Sequence, residues 1–282
     1  MATFYNQASL SFNGRITNSN ITEGELVDTI SATKTALSSV YGANDRIVYV
    51  INITNSNTTG ITGVTVTDDL GAYSVGTTTV YPLDYVDGSV RLFINGAESA
   101  APTVTATSPL TLTGINIPAG ANASIYYEAS TNAFTPLAPD SSITNTAAID
   151  SGGESITVTD TVNVGESTEL TIAKAICPAT VTDNGEITYT FVIQNSGNRE
   201  AIATDDVIVT DLFNPILDPI AVTYNGTPWT EGTNYTYDET TGEFATLPGE
   251  ITVPAATYIQ DPASGVFTVT PGVAVITVTG TV

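Results

Sequence analysis

The sequence predicts an all-β chain built as two tandem β-sandwiches, and three observations carry that expectation. Apolar and polar residues alternate over short runs, Gly, Pro and Asn interrupt those runs, and the second half of the chain repeats the first. Alternation places successive side chains on opposite faces of a strand. The clearest runs are Ile47-Val48-Tyr49-Val50-Ile51-Asn52-Ile53, Val64-Thr65-Val66-Thr67, Leu110-Thr111-Leu112 and Ile156-Thr157-Val158-Thr159. Asn95-Gly96 and Asn225-Gly226 each follow a β-rich run and read as hairpin turns, because both residue types tolerate positive φ. No segment of useful length carries a helical period. Many short strands between such turns suit a sandwich.

Composition narrows the function. The chain has 282 residues, which suits about two domains of ~100–150 residues, each with its own core. Apolar residues make up 41% and charged residues only 12%, so Thr, Asn and Ser supply much of the polar surface. Thr is β-branched and suits an exposed strand face. Six basic residues against 29 acidic ones give a net charge of −23. Such a chain repels nucleic acid and anionic membranes. Cys177 is the sole cysteine, so no intrachain disulfide is possible. Histidine is absent, which removes the usual base near neutral pH and the commonest transition-metal ligand. Residues 1–7 lack a basic and apolar leader, so no signal peptide is expected. No run approaches the ~18 apolar residues of a membrane-spanning helix. No cofactor, metal or enzymatic activity is expected; a glycosidase-type carboxylate pair finds no converging cleft in the pattern.

The repeat sets the domain boundaries. Lys34 to Tyr49 and Lys174 to Tyr189 are the same length, since 49 − 34 = 15 and 189 − 174 = 15. Asn55-Ser56 matches Asn195-Ser196, and Val66-Thr67-Asp68 matches Val209-Thr210-Asp211 after a three-residue insertion. The expected division is an arm over 1–25, domain 1 over 26–165 and domain 2 over 166–282. The run from Lys174 through Gly185-Glu186-Ile187-Thr188-Tyr189-Thr190-Phe191 and Gln194-Asn195-Ser196-Gly197 to Asp211 resembles the immunoglobulin-like repeat of bacterial surface proteins, domain of unknown function eleven. Domain 1 departs from it with Ala43-Asn44-Asp45-Arg46 where Gly-Glu is usual. The resemblance implies immunoglobulin-like sandwiches in cell-envelope or spore-surface proteins, often of Gram-positive bacteria.

The two domains end differently. Domain 1 closes with Ile143-Thr144-Asn145-Thr146-Ala147-Ala148-Ile149, then Gly152-Gly153, then a strand from Ile156 to Val164. Domain 2 reaches the strand Val275-Ile276-Thr277-Val278 and shows no such hairpin before Val282. The absent piece is found at the other terminus. Phe4 to Gly14 aligns without gaps on Ile143 to Gly153, at a constant offset of 143 − 4 = 139. Asn6 falls on Asn145, Ala8 on Ala147 and Leu10 on Ile149. The arm therefore reads as a pair of donor strands for a sandwich that lacks its last hairpin, and an incomplete sandwich invites pairing with another chain. Phe4, Asn6, Ala8, Leu10 and Phe12 are the expected donor residues, with Ile276 and Val278 on the receiving side. An arm that folds back on its own chain, or a frayed terminal strand, is the alternative.

The chain's two lysines, Lys34 and Lys174, occupy equivalent positions on apolar strand faces. Asp68 and Asp211 interrupt two further apolar faces, and Asn145 and Asn6 two more. Each set looks like the Lys–Asn isopeptide bond of immunoglobulin-like domains in Gram-positive pilins. There a desolvated neutral lysine attacks the asparagine amide beside a protonated acid, and ammonia leaves. Lys34, Asp68 and Asn145 would staple domain 1; Lys174 and Asp211 would join Asn6 of the next subunit. A buried Lys–Asp ion pair hydrogen-bonded to Asn explains the same pattern. Asp68-Asp69, Asp205-Asp206 and Asp183-Asn184 lack calcium-loop spacing and read as turns, while Trp229 and the tyrosines read as core. The expectation is a structural subunit that polymerises head-to-tail with copies of itself, outside the cell on a bacterial cell or spore surface. The alternative is an adhesin or stalk module that binds a host or glycan ligand.

Overall fold

The computed structural model describes residues 2–26, 30–153 and 155–282. Strands make up 57% of it, and the one helical element among the described residues is a 3-10 turn at Ala203–Asp205. Two tandem immunoglobulin-like sandwiches follow an N-terminal arm. Asn95-Gly96 and Asn225-Gly226 are the predicted hairpin turns, all four residues at positive φ. They join Arg91–Ile94 to Ala97–Ser99 and Ile220–Tyr224 to Thr227–Pro228.

Domain 1 is complete. One sheet runs Ala97–Ser99, Arg91–Ile94, Asn122–Thr131, Arg46–Asn55, Ile30–Ala36. The other runs Thr103–Thr107, Leu110–Ile117, Ile61–Asp68, Ser142–Asp150, Ser155–Val164, Val40–Tyr41. The inward residues of both, among them Ile47, Tyr49, Ile51, Val64, Val66 and Leu112, form one core. The closing hairpin, Ser142–Asp150 with Ser155–Val164, does two things. Its first strand pairs with Ile61–Asp68, Ile149 opposite Val66 and Ala147 opposite Asp68. Its second strand lies against Ile30–Ala36, where the Asp160 carboxylate accepts the Ala36 amide at 2.7 Å.

Domain 2 repeats the first sheet as Leu170–Cys177, Glu186–Asn195, Gly272–Thr281, Ile220–Tyr224, Thr227–Pro228. Its second sheet has three strands, Thr210–Leu212, Glu243–Thr246 and Tyr235–Tyr237. Thr210–Leu212 pairs on one side, with Glu243–Thr246; no described strand takes the place that Ser142–Asp150 takes in domain 1. The strand that carries Asp211 has three residues, where its domain 1 counterpart Ile61–Asp68, paired on both sides, has eight. The sandwiches touch through Asn198, whose side-chain amide donates to the Leu137 and Gly165 carbonyls at 3.1 and 3.0 Å.

The arm is a two-stranded ribbon that covers no core. Ala2–Asn6 pairs with Thr22–Leu26, and Ser9–Phe12 with Arg15–Asn18 across an Asn13-Gly14 turn with both residues at positive φ. The outer pairs keep the register of the closing hairpin. Leu10 opposite Thr17 and Ser11 opposite Ile16 lie 139 positions before Ile149 opposite Ile156 and Asp150 opposite Ser155. Nearer the base the arm slips by one residue, so Asn6 faces Thr22.

Candidate functional site: a buried lysine cluster and its open counterpart

Domain 1 brings Lys34, Asp68 and Asn145 together inside its core. Lys34 enters from the first sheet, Asp68 and Asn145 from neighbouring strands of the second. Lys34 Nζ lies 2.5 Å from Asp68 Oδ2, with both side chains shut off from solvent. Tyr127 OH donates to the same carboxylate oxygen at 2.6 Å, and the Leu70 amide donates to Oδ1 at 3.0 Å. Asn145 Nδ2 donates to Tyr127 OH at 3.1 Å. Asn145 Oδ1 and Tyr49 OH are both buried without a well-formed hydrogen bond in the structure.

Burial holds the Lys34 amine below its ordinary value, against the opposing pull of Asp68. Burial pushes the Tyr41, Tyr49 and Tyr127 phenols upward. Phenols of the unfolded chain ionise near pH ~10. Their contribution to stability is therefore complete below that pH and is lost as pH rises beyond it. Lys34 acts with the opposite sign: its lowered value penalises the fold below the unfolded value of ~10.5 and relieves it as pH rises. With Tyr73, Tyr235, Tyr237 and Tyr258 raised in the same way, the phenols predict a fall in the urea midpoint as pH rises above about 10. A midpoint that rises there would mean that a free Lys34 amine outweighs them.

Domain 2 holds the same pair in the open. Lys174 Nζ donates to Asp211 Oδ2, but the lysine side chain is 38% exposed. Its ammonium sits over the Tyr189 ring at 4.2 Å and near Phe191 and Phe213, each at 5.4 Å. The whole inner face of its strand is uncovered. Leu170 and Ile172 are 37% and 56% exposed, where Ile30, the domain 1 counterpart of Leu170, is 2% exposed. A groove of about 700 Å³ lies across the three strands of the second sheet, lined by Asp211, Leu212, Tyr237 and Phe244 among others.

In the arm, Phe4, Asn6, Ala8, Leu10 and Phe12 are all exposed, Leu10 at 69% and Phe12 at 72%. Their domain 1 equivalents Ile143, Asn145, Ala147 and Ile149 are buried. Asn6 meets neither Lys174 nor Asp211 within the chain. The expected receiving residues lie on the inner face of domain 2. Ile276 and Val278 are fully buried, because Gly272–Thr281 lies between Glu186–Asn195 and Ile220–Tyr224 in the middle of its sheet. The open surface is the edge of Thr210–Leu212 and the inner face of Leu170–Cys177.

The acidic pairs behave as turn residues. Asp69 Oδ1 accepts the Gly71 and Thr146 amides, and Asp205 pairs with Arg199. Trp229 stacks on Tyr224 at 4.9 Å beside the domain 2 core. Tyr127 escaped the sequence reading, although its period-two spacing with Ile125 and Ala129 marks it as inward. A phenol on such a face needs a partner.

No family model and no curated protein matches the chain. Solved structures align to it at low similarity. A variant of BcpA, the major pilin subunit of Bacillus cereus, aligns over 94% of this chain and 70% of its own, at 14% identity and a TM-score of 0.38. The pilus backbone RrgB of Streptococcus pneumoniae aligns over 86% and 55%, at 9% identity and 0.35. The C-terminal fragment of the major pilin GBS80 of Streptococcus agalactiae aligns over 87% and 91%, at 13% identity and 0.34. Likeness at this level carries no argument about function.

Proposed function

We propose that this chain is a structural subunit that polymerises head-to-tail outside the cell, the arm of one subunit completing domain 2 of the next. The observation behind this reading is the pairing of an uncovered sandwich with an uncovered hairpin of the matching register. A closing hairpin set on domain 2 as it is set on domain 1 would pair with Thr210–Leu212 and cover Leu170 and Ile172. Contact of this kind is heterologous, so it propagates into a fibre, and its mode is strand addition. Asn6 would then arrive where Asn145 stands in domain 1, beside Lys174 and Asp211. Covering the face would also dry that lysine. The reading therefore includes Lys–Asn amide bonds, Lys34 to Asn145 within a subunit and Lys174 to Asn6 between subunits. Such a polymer belongs on a bacterial cell or spore surface.

Leu10 gives a point test. In the polymer it takes the place of the fully buried Ile149. Leu10→Asp would bury an unpaired charge and weaken assembly by several kcal/mol, about a hundredfold or more in affinity. The substitution is solvent-exposed in the monomer, so its fold and melting midpoint stay those of the parent. Sedimentation velocity reads the polymer fraction; equal polymer in mutant and parent removes Leu10 from the contact and with it this register of docking.

A further inference from the structure

The domain 1 cluster contains one group that the proposed crosslink leaves without a role. Its hydrogen bonds form an unbroken line: Lys34 Nζ to Asp68 Oδ2 at 2.5 Å, Tyr127 OH to that oxygen at 2.6 Å, and Asn145 Nδ2 to Tyr127 OH at 3.1 Å. Among the described residues, Tyr127 alone hydrogen-bonds both the acid and the nitrogen that has to leave. We propose that Tyr127 is a catalytic residue of the Lys34–Asn145 amide bond, relaying to the departing nitrogen the proton that Asp68 collects from the lysine. This rests on the crosslink reading above.

The chemistry balances without an oxidant or a cofactor. The Lys34 ammonium first gives a proton to Asp68, which frees the Nζ lone pair and leaves the buried pair neutral. Nζ attacks Asn145 Cγ. In the tetrahedral adduct the Nζ–Cγ bond has formed and Nζ carries a surplus hydrogen, while Nδ2 lacks the hydrogen it needs to depart. Tyr127 gives its hydroxyl hydrogen to Nδ2 and takes the one held by Asp68; Asp68 then takes the surplus from Nζ. The Cγ–Nδ2 bond breaks. One hydrogen stays on the new amide nitrogen, three leave as ammonia and one remains on Asp68. Burial raises the Tyr127 phenol well above its ordinary range, so it stays protonated and able to pass a hydrogen on.

Domain 2 lacks this relay. Tyr127 pairs across its ladder with Tyr49, whereas Tyr189, the counterpart of Tyr49, pairs with Val278. Val278 therefore stands where Tyr127 would. The ring is supplied from another strand. Phe213 follows Asp211 as Leu70 follows Asp68, and it stacks on Tyr189 at 5.0 Å as Tyr127 stacks on Tyr49 at 5.5 Å. The packing is conserved between the two sites and the hydroxyl is not. A bond at Lys174 would form without a relay, and more slowly than the one at Lys34.

The test follows the Lys34–Asn145 linked peptide by mass spectrometry in full-length chains sampled from the start of expression. The chains are the parent, Lys34→Ala, Tyr127→Phe, and the double variant Tyr127→Val with Leu70→Phe, which transplants the domain 2 pair and keeps a ring in place. The parent is expected to be linked, and lighter by one ammonia, at the first time point, with Lys34→Ala never linked. Both Tyr127 variants should start unlinked and lose ammonia at least ~100-fold more slowly, the usual worth of a positioned acid–base group. If Tyr127→Phe does not fold, the double variant carries the same comparison. Tyr127 variants that link as fast as the parent would overturn the relay and leave the crosslink standing. An unlinked parent would overturn the crosslink and the relay together.

Discussion

Deleting residues 2–14 is expected to abolish polymers and leave a folded monomer with domain 2 open. The deletion removes Phe4 and Leu10, apolar side chains that stand in solvent in the isolated chain. Burying a large apolar side chain is worth about 1.5–3 kcal/mol. Two such residues alone set a loss of at least about 3 kcal/mol, or roughly a hundredfold in affinity. The ladder to Thr210–Leu212 adds to that figure. Neither core draws on these residues, so both sandwiches keep their melting behaviour. Size-exclusion chromatography separates the outcomes. Undiminished assembly after the deletion would sink strand donation, whatever else joins the subunits.

The second large effect separates the two lysines. After boiling in detergent, parent polymers should run as a ladder of covalent oligomers. Lys174→Ala should fall to single subunits, because in the proposed polymer Lys174 is the only bond-forming amine that meets the arm. Little monomer stability should be lost, since an ion pair this open to solvent is worth at most about 1 kcal/mol. Lys34→Ala should keep the ladder and lose stability within domain 1. That variant removes the staple and leaves the fully buried Asp68 without its lysine. Losing a crosslink that closes a loop of about a hundred residues costs about 3–5 kcal/mol. For a domain of this size that is a fall of about 10 °C or more in the melting midpoint. Polymers that dissolve to subunits of unmodified mass would make both lysines ordinary ion-pair partners, and a strand-donated filament without crosslinks would remain.

The linear pattern of this chain determined more than its fold class. Period-two alternation fixed which residues face inward, and the Asn-Gly pairs fixed two hairpins. The internal repeat placed Lys34 with Lys174 and Asp68 with Asp211. The gapless match of Phe4–Gly14 to Ile143–Gly153 marked the arm as a hairpin before its register was known. All of these are local signals, carried by residues near one another along the chain or repeated at a constant spacing. Tertiary structure decided what depends on strands distant in sequence becoming neighbours. Ile276 and Val278 read as the receiving side, and only the sheet order shows that Gly272–Thr281 has a partner on each side, so that both residues belong to the core and neither to an edge. The free edge proved to be Thr210–Leu212, a segment whose sequence looks as two-sided as Val66-Thr67-Asp68. Tyr127 and Val278 lie at equivalent places only through their ladder partners Tyr49 and Tyr189. The strands of Tyr127 and Val278 stand at an offset of 278 − 127 = 151 and those of Tyr49 and Tyr189 at 189 − 49 = 140, so the repeat that joins the lysines does not join Tyr127 to Val278. Cross-strand register is set by hydrogen bonds and burial between remote segments, and that information appears only once the sheets have formed.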